Sequence, residues 1–142
     1  MPMSIATTQE PTMRRTGRSI EVEGVTHGAT PIPMGARVGN TIFTSGVAGK
    51  LPATNKLVDG AEAQAYQAFE NLKTVLANGG ATLAHVGLIS ALVADEAARD
   101  ALNKAWVEAF PDANDRPARH TTVQPLRGGM LVQIQAIAVV TD

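Results

Sequence analysis

Arg119 stands two residues after Pro117, at the head of the run Ala118-Arg-His-Thr-Thr-Val123, and is the main candidate in this sequence for holding a small anion. A guanidinium is always charged and planar, so burying it is costly unless a carboxylate meets its fork. That carboxylate comes from this chain, from a neighbour or from a ligand, and spacing by itself favours an intrachain or intersubunit salt bridge. Thr121, two residues on, shares the strand face of Arg119 and offers its backbone or hydroxyl to a second polar atom of a ligand. Gln133 and Gln135 interrupt the apolar run from Met130 to Val140, and amides on so apolar a strand need partners. Arg116, before Pro117, and Arg127, beside Gly128-Gly129, read as solvated surface charges.

Proton transfer near neutral pH suits histidine. His27 lies in a loop, where the plainer reading is a satisfied or exposed side chain and the functional one a group folded over a ligand. His120 adjoins Arg119, but successive strand residues face opposite sides, so it points away from the arginine. His85 follows a helix-to-strand loop and reads as a surface residue. Ser45-Gly46 lacks the Gly-x-Ser-x-Gly surroundings of a nucleophile elbow, so Ser45 reads as polar lining at a strand end. No histidine pair has metal-ligand spacing and the acids are scattered, so neither a metal nor a cofactor is expected.

The composition narrows the class of function. The 142 residues carry 12 basic and 13 acidic side chains, which leaves no footprint for phosphate or nucleic acid. The absence of cysteine removes disulfides and thiolate chemistry and fits a reducing, cytoplasmic setting. No stretch approaches the roughly 20 apolar residues of a membrane span, so no membrane partner is expected.

Residues 1–17, rich in Thr, Pro and Arg and without periodicity, are expected to form a flexible arm, and residues 18–142 a single domain. Within that domain residues 18–25 alternate as a strand, with Gly24 as a candidate bulge, and a proline-bearing loop follows over 27–35. Arg37-Val38, a Gly39-Asn40 turn and residues 41–47 read as a hairpin. Residues 49–58 read as an exposed connection. Asp59 with Glu62 resembles a capping box before a helix over about 61–78, whose stripe is Ala65, Phe69, Leu72, Val75 and Leu76 and which Gly79-Gly80 end. Residues 85–94 read as a buried strand, and Asp95 caps a second helix to about Phe110, with Ala98, Leu102, Ala105 and Trp106 inward. The segment 116–140 reads as strand, turn, strand. On its last strand Val132, Ile134, Ala136 and Ala138 form one wholly apolar face, opposite the face with the glutamines. The order is that of an α+β fold, one mixed sheet with two helices on one face. The other sheet face then needs a cover, which an oligomer supplies.

The strings Arg-Pro-Ala-Arg-His-Thr-Thr-Val-Gln-Pro-Leu, Gly-Gly-Met-Leu-Val-Gln-Ile-Gln-Ala-Ile-Ala-Val-Val, Arg-Val-Gly-Asn-Thr-Ile-Phe-Thr-Ser-Gly-Val-Ala-Gly and the first helix resemble the YjgF/RidA family, also called the reactive-intermediate imine deaminase or L-PSP family. The resemblance runs from about Ile32 to Val140. It implies a chorismate-mutase-like α+β fold, a homotrimer with pockets at subunit interfaces, and Arg119 as the grip on a ligand carboxylate, reversing the reading from spacing. Members that hydrolyse enamines and imines carry glutamate where Gln133 stands, tyrosine at Ile32, and glutamine at Val47. The resemblance thus implies a hydrolytic deaminase of imine or enamine carboxylates, with 2-aminomuconate deaminases as one branch. Arg119, Thr121, Gln133, Ile32 and Ser45 would bind substrate, and His27 would move protons in place of the missing glutamate. The rival reading is a non-catalytic trimer that binds small carboxylates or regulates a partner. RNA cleavage, also attached to the family's names, does not fit the balanced charge.

Overall fold

The structure, a computed structural model, describes residues 17–141, so the expected arm falls almost wholly outside the described residues. Strands β1 (Ser19–Ile20), β2 (Gly35–Val38), β3 (Thr41–Thr44) and β4 (Val47–Ala48) are followed by a small hairpin, β5 (Lys50–Leu51) and β6 (Lys56–Leu57). Helix α1 (Ala61–Asn78), a short 3-10 turn (Leu83–His85), β7 (Val86–Val93), α2 (Glu96–Ala109), β8 (Ala118–Val123) and β9 (Val132–Val139) complete the order. The main sheet runs β1-β2-β3-β9-β7-β8, with β4 also paired to β9.

Both helices lie on one face. The apolar stripe expected on α1 is buried there, against Val132, Ile134, Ala136 and Ala138 of β9 and Ile89, Ala91 and Val93 of β7. Phe69 of α1 meets Phe110 edge-on, with ring centroids 6.1 Å apart, where the helices come together. The buried amides of Gln64 and Asn71 tie α1 to the loops around it. Gln64 donates to the carbonyls of Val58 and Gly129 and accepts from the Leu131 N–H, while Asn71 donates to the carbonyls of Ala48 and Lys50. On the opposite face Val38, Phe43, Ile137 and Val139 stand exposed.

Several expectations are corrected. Both strands expected within 116–140 form, as β8 and β9, but they are not neighbours, because β7 lies between them, parallel to β8 and antiparallel to β9. A parallel pair needs a crossover, and α2 supplies it from β7 to β8. Asp59 does not cap α1: the N-cap is Gly60 at φ 93°, a left-handed conformation, and no side chain bonds there. Asp95, by contrast, accepts the Ala98 N–H at 2.8 Å and caps α2 as expected. The strand expected over 18–25 shrinks to β1 and an isolated Val22–Val25 bridge, and the connection 49–58 contains the β5–β6 hairpin. His85 belongs to the 3-10 turn, its Nδ1 accepting the Thr82 N–H at 3.0 Å.

The expected strand 41–47 is broken at Ser45-Gly46. Phe43 pairs with Ile137 but Val47 with Ile134, so four steps along one strand face three along the other, a bulge of one residue. Thr44 Oγ1 accepts the Ala136 N–H at 2.9 Å beside the bulge, which keeps that buried donor satisfied.

Candidate functional site

The bulge gathers one cluster. Gly46 lies against the side-chain amide of Gln133: a Cβ at position 46 would come within 2.6 Å of Gln133 Cδ. The Gly46 carbonyl faces His27 Nε2 at 3.0 Å, and His27 Nδ1 lies 3.3 Å from the Ile32 carbonyl. Ser45 donates its hydroxyl to the Pro33 carbonyl at 2.7 Å, pinning the same loop from the other side. Gln133 donates to Met130 Sδ at 3.5 Å, a weak bond that leaves the amide available to another partner. His27, Ile32, Ser45 and Gln133 are thus drawn to one place.

His27 is held there by backbone. A neutral imidazole has one donor and one acceptor nitrogen, so it satisfies only one of the two carbonyls, whereas an imidazolium satisfies both. Neither ring nitrogen is free in this arrangement, and proton transfer to a ligand requires the ring to let go of a carbonyl. Ile32 contributes its carbonyl to the clasp while its side chain stays exposed.

A second cluster surrounds Arg119. Its Nε donates to Thr121 Oγ1 at 2.7 Å and its Nη2 to Asn103 Oδ1 at 2.6 Å, while the guanidinium carbon sits 5.2 Å from the centre of the Trp106 ring. No carboxylate lies within salt-bridge distance of Arg119 among the described residues, whose two ion pairs are Lys73–Glu70 and Lys104–Glu62. The salt bridge favoured by spacing is therefore not made within the described part of the chain. Burial, and after it the like charge of Arg99, lower the Arg119 guanidinium from its usual range, yet an arginine stays charged at neutral pH. Thr121 acts first on the arginine, orienting it, and keeps its hydroxyl proton for a further acceptor.

One chain does not unite the clusters. Arg119 pairs with Ile89 and Thr121 with Ala91, residues of the helix-covered face, so both point toward α2 at the sheet edge. Gln133 pairs with Leu92 on the other face, with His120 and Thr122. Sequence reasoning missed Asn103 and Arg99 and took Trp106 for plain core. The available signal was helical spacing: positions 99, 103 and 106 form one stripe beside the apolar one. A groove between the helices, about 330 Å³ and lined by Glu62, Tyr66, Lys104 and Glu108 among others, touches neither cluster.

Residues 30–140 match the family model described as Endoribonuclease L-PSP. The chain belongs to the YjgF/RidA family. Among YjgF/RidA relatives, a RutC family protein of Aquifex aeolicus is 30% identical over 115 residues, covering 77% of this chain and 92% of the relative. A 2-iminobutanoate/2-iminopropanoate deaminase of Dermatophagoides farinae is 32% identical over 112 residues, covering 78% and 86%. The crystal structure of RidA from the Antarctic bacterium Psychrobacter sp. PAMC 21119 superposes with a TM-score of 0.79 at 29% identity, over 87% of this chain and 99% of that one. The fold is therefore the α+β, chorismate-mutase-like fold of the RidA proteins, and relatives named as imine deaminases place the chain in an imine-deaminase family.

Proposed function

We propose that the protein is a homotrimeric hydrolase of small imine or enamine carboxylates, and that the Arg119 edge of one protomer and the Gln133 cluster of the next form each site. The observation that carries the reading is the guanidinium itself. Arg119 is oriented by Thr121, Asn103 and Trp106, yet no acid meets its fork among the described residues. An arginine held ready and left without an anion is what capture of a carboxylate requires. The exposed Val38, Phe43, Ile137 and Val139, on the face without helices, supply apolar surface for association.

With the carboxylate on Arg119, water adds to the adjacent imine carbon, a proton passes to nitrogen, the C–N bond breaks and ammonia leaves with a 2-oxo acid as product. An enamine first takes a proton at carbon to become the imine. Gln133 can hold the water through its amide but cannot accept its proton, so proton transfer falls to His27 after release from Gly46 or to a second water. The balance of 12 basic and 13 acidic residues supports a small ligand over RNA.

The test is ammonia release from imino acids generated in place, set against a buffer blank, together with the mass in solution by light scattering. A trimer that speeds release agrees with the proposal, and a monomer sinks the shared site. A specific observation favours one rival: Gln133 presents an amide rather than a carboxylate to the bulge. A trimer that binds 2-oxo acids yet leaves ammonia release at the blank rate is a carboxylate-binding protein.

A further inference from the structure

Arg99 is exposed in the first turn of α2, a place where the helix dipole disfavours a cation. It lies one turn before Asn103, on the stripe that continues to Trp106, and those two residues contact the Arg119 guanidinium. Arg99 therefore shares the helix stripe that faces Arg119 through Asn103 and Trp106. Like Arg119, it has no carboxylate within salt-bridge distance among the described residues. The nearby Asp95 spends its side chain on the Ala98 N–H, and Asp100, the next residue on the helix, is turned about 100° away around the axis. The other charged residues of α2 are Glu96, Lys104 and Glu108, and Lys104 pairs with Glu62.

We propose that Arg99 and Arg119 together receive the two carboxylates of a dicarboxylic substrate, so that the preferred compounds are imines or enamines of 2-oxo diacids. The proposal rests on the reading that Arg119 holds the carboxylate next to the reacting carbon, and adds a second carboxylate on Arg99. A monocarboxylate neutralises one guanidinium and leaves the other beside it uncompensated, whereas a diacid engages both. Burial, and after it the like charge of Arg99, lower the affinity of Arg119 for its proton, in keeping with two guanidinium groups on one stripe. Four residues, about 6 Å of helical rise, separate Arg99 from Asn103, a span that suits a diacid of about five or six carbons.

Calorimetry on the full-length protein with 2-oxopentanedioate and 2-oxopentanoate isolates the second carboxylate, since the two probes share a carbon chain. The wild type is expected to bind the diacid about tenfold or more tightly than the monoacid, a difference of about 1.4 kcal/mol. Arg99→Gln, at an exposed position, removes that preference by weakening diacid binding far more than monoacid binding, while Arg119→Gln weakens both probes. Equal binding of the two probes by the wild type, or a preference that survives Arg99→Gln, overturns the diacid assignment while Arg119-dependent monoacid binding leaves the proposed site standing. Displacement of the diacid by inorganic phosphate at equal concentration also overturns it, by making the pair a general anion site. If Arg119→Gln alters neither probe, the proposed site itself fails, and the diacid assignment with it.

Discussion

Replacing Arg119 with lysine separates charge from geometry. The guanidinium makes bonds of 2.7 Å to Thr121 and 2.6 Å to Asn103 and lies 5.2 Å from the Trp106 ring centre, so its plane is set before a ligand arrives. An ammonium keeps the charge, but it cannot bond Thr121 and Asn103 and still present a two-pronged fork to a carboxylate. One charge-assisted bond to a ligand contributes roughly 1.5–3 kcal/mol, so its loss weakens binding of a 2-oxo acid by about 10- to 100-fold. Stability should change little, because among the described residues Arg119 anchors no ion pair. Asn103→Ala and Thr121→Val should give smaller losses, about tenfold or less, because each removes one support and leaves the fork in place. Calorimetric titration with 2-oxobutanoate, alongside thermal melts, reads both quantities. Unchanged affinity in Arg119→Lys and Arg119→Ala, with folded proteins, refutes the carboxylate role and makes the arginine a prop for Trp106 and Asn103.

Asn71→Ala should lower unfolding free energy by about 1–3 kcal/mol in denaturant titrations, because it strands the buried carbonyls of Ala48 and Lys50; a change below a few tenths would mean water replaces the amide. Gly46→Ala should drive the Gln133 amide from its seat, since the added Cβ meets Gln133 Cδ at 2.6 Å, and a crystal structure with that amide unmoved would contradict the packing argument. His27→Gln should lower turnover by about 10²-fold with little effect on ligand affinity if the ring moves protons. Full activity would reduce His27 to a clasp between Ile32 and Gly46. Gln133→Glu should raise imine hydrolysis by restoring a proton acceptor beside the bulge; no gain, with ligand still bound, would put the limiting step elsewhere.

The local pattern of residues determined a good part of this protein. The apolar stripe of α1 and its stop at Gly79-Gly80, the Asp95 cap and the alternation of β9 each depend on neighbours a few positions away, and each is present. The cap of α1 was misread because Asp59 and Glu62 have the right spacing, but spacing does not reveal that Gly60 takes the N-cap at φ 93°. The Ser45-Gly46 bulge was missed for a related reason: one extra residue shows only against the partner strand, here β9. Alternation also established that Arg119 shares a face with Thr121, and that Gln133 shares one with Gln135. Whether those two faces coincide is a separate matter, decided only when the tertiary structure sets β7 between β8 and β9 and carries α2 across as the crossover. That placement turns Arg119 toward Asn103 and Trp106 and Gln133 toward the open face. Side-chain period is a property of a strand, but the neighbour that fixes which side is covered is recruited from far along the chain.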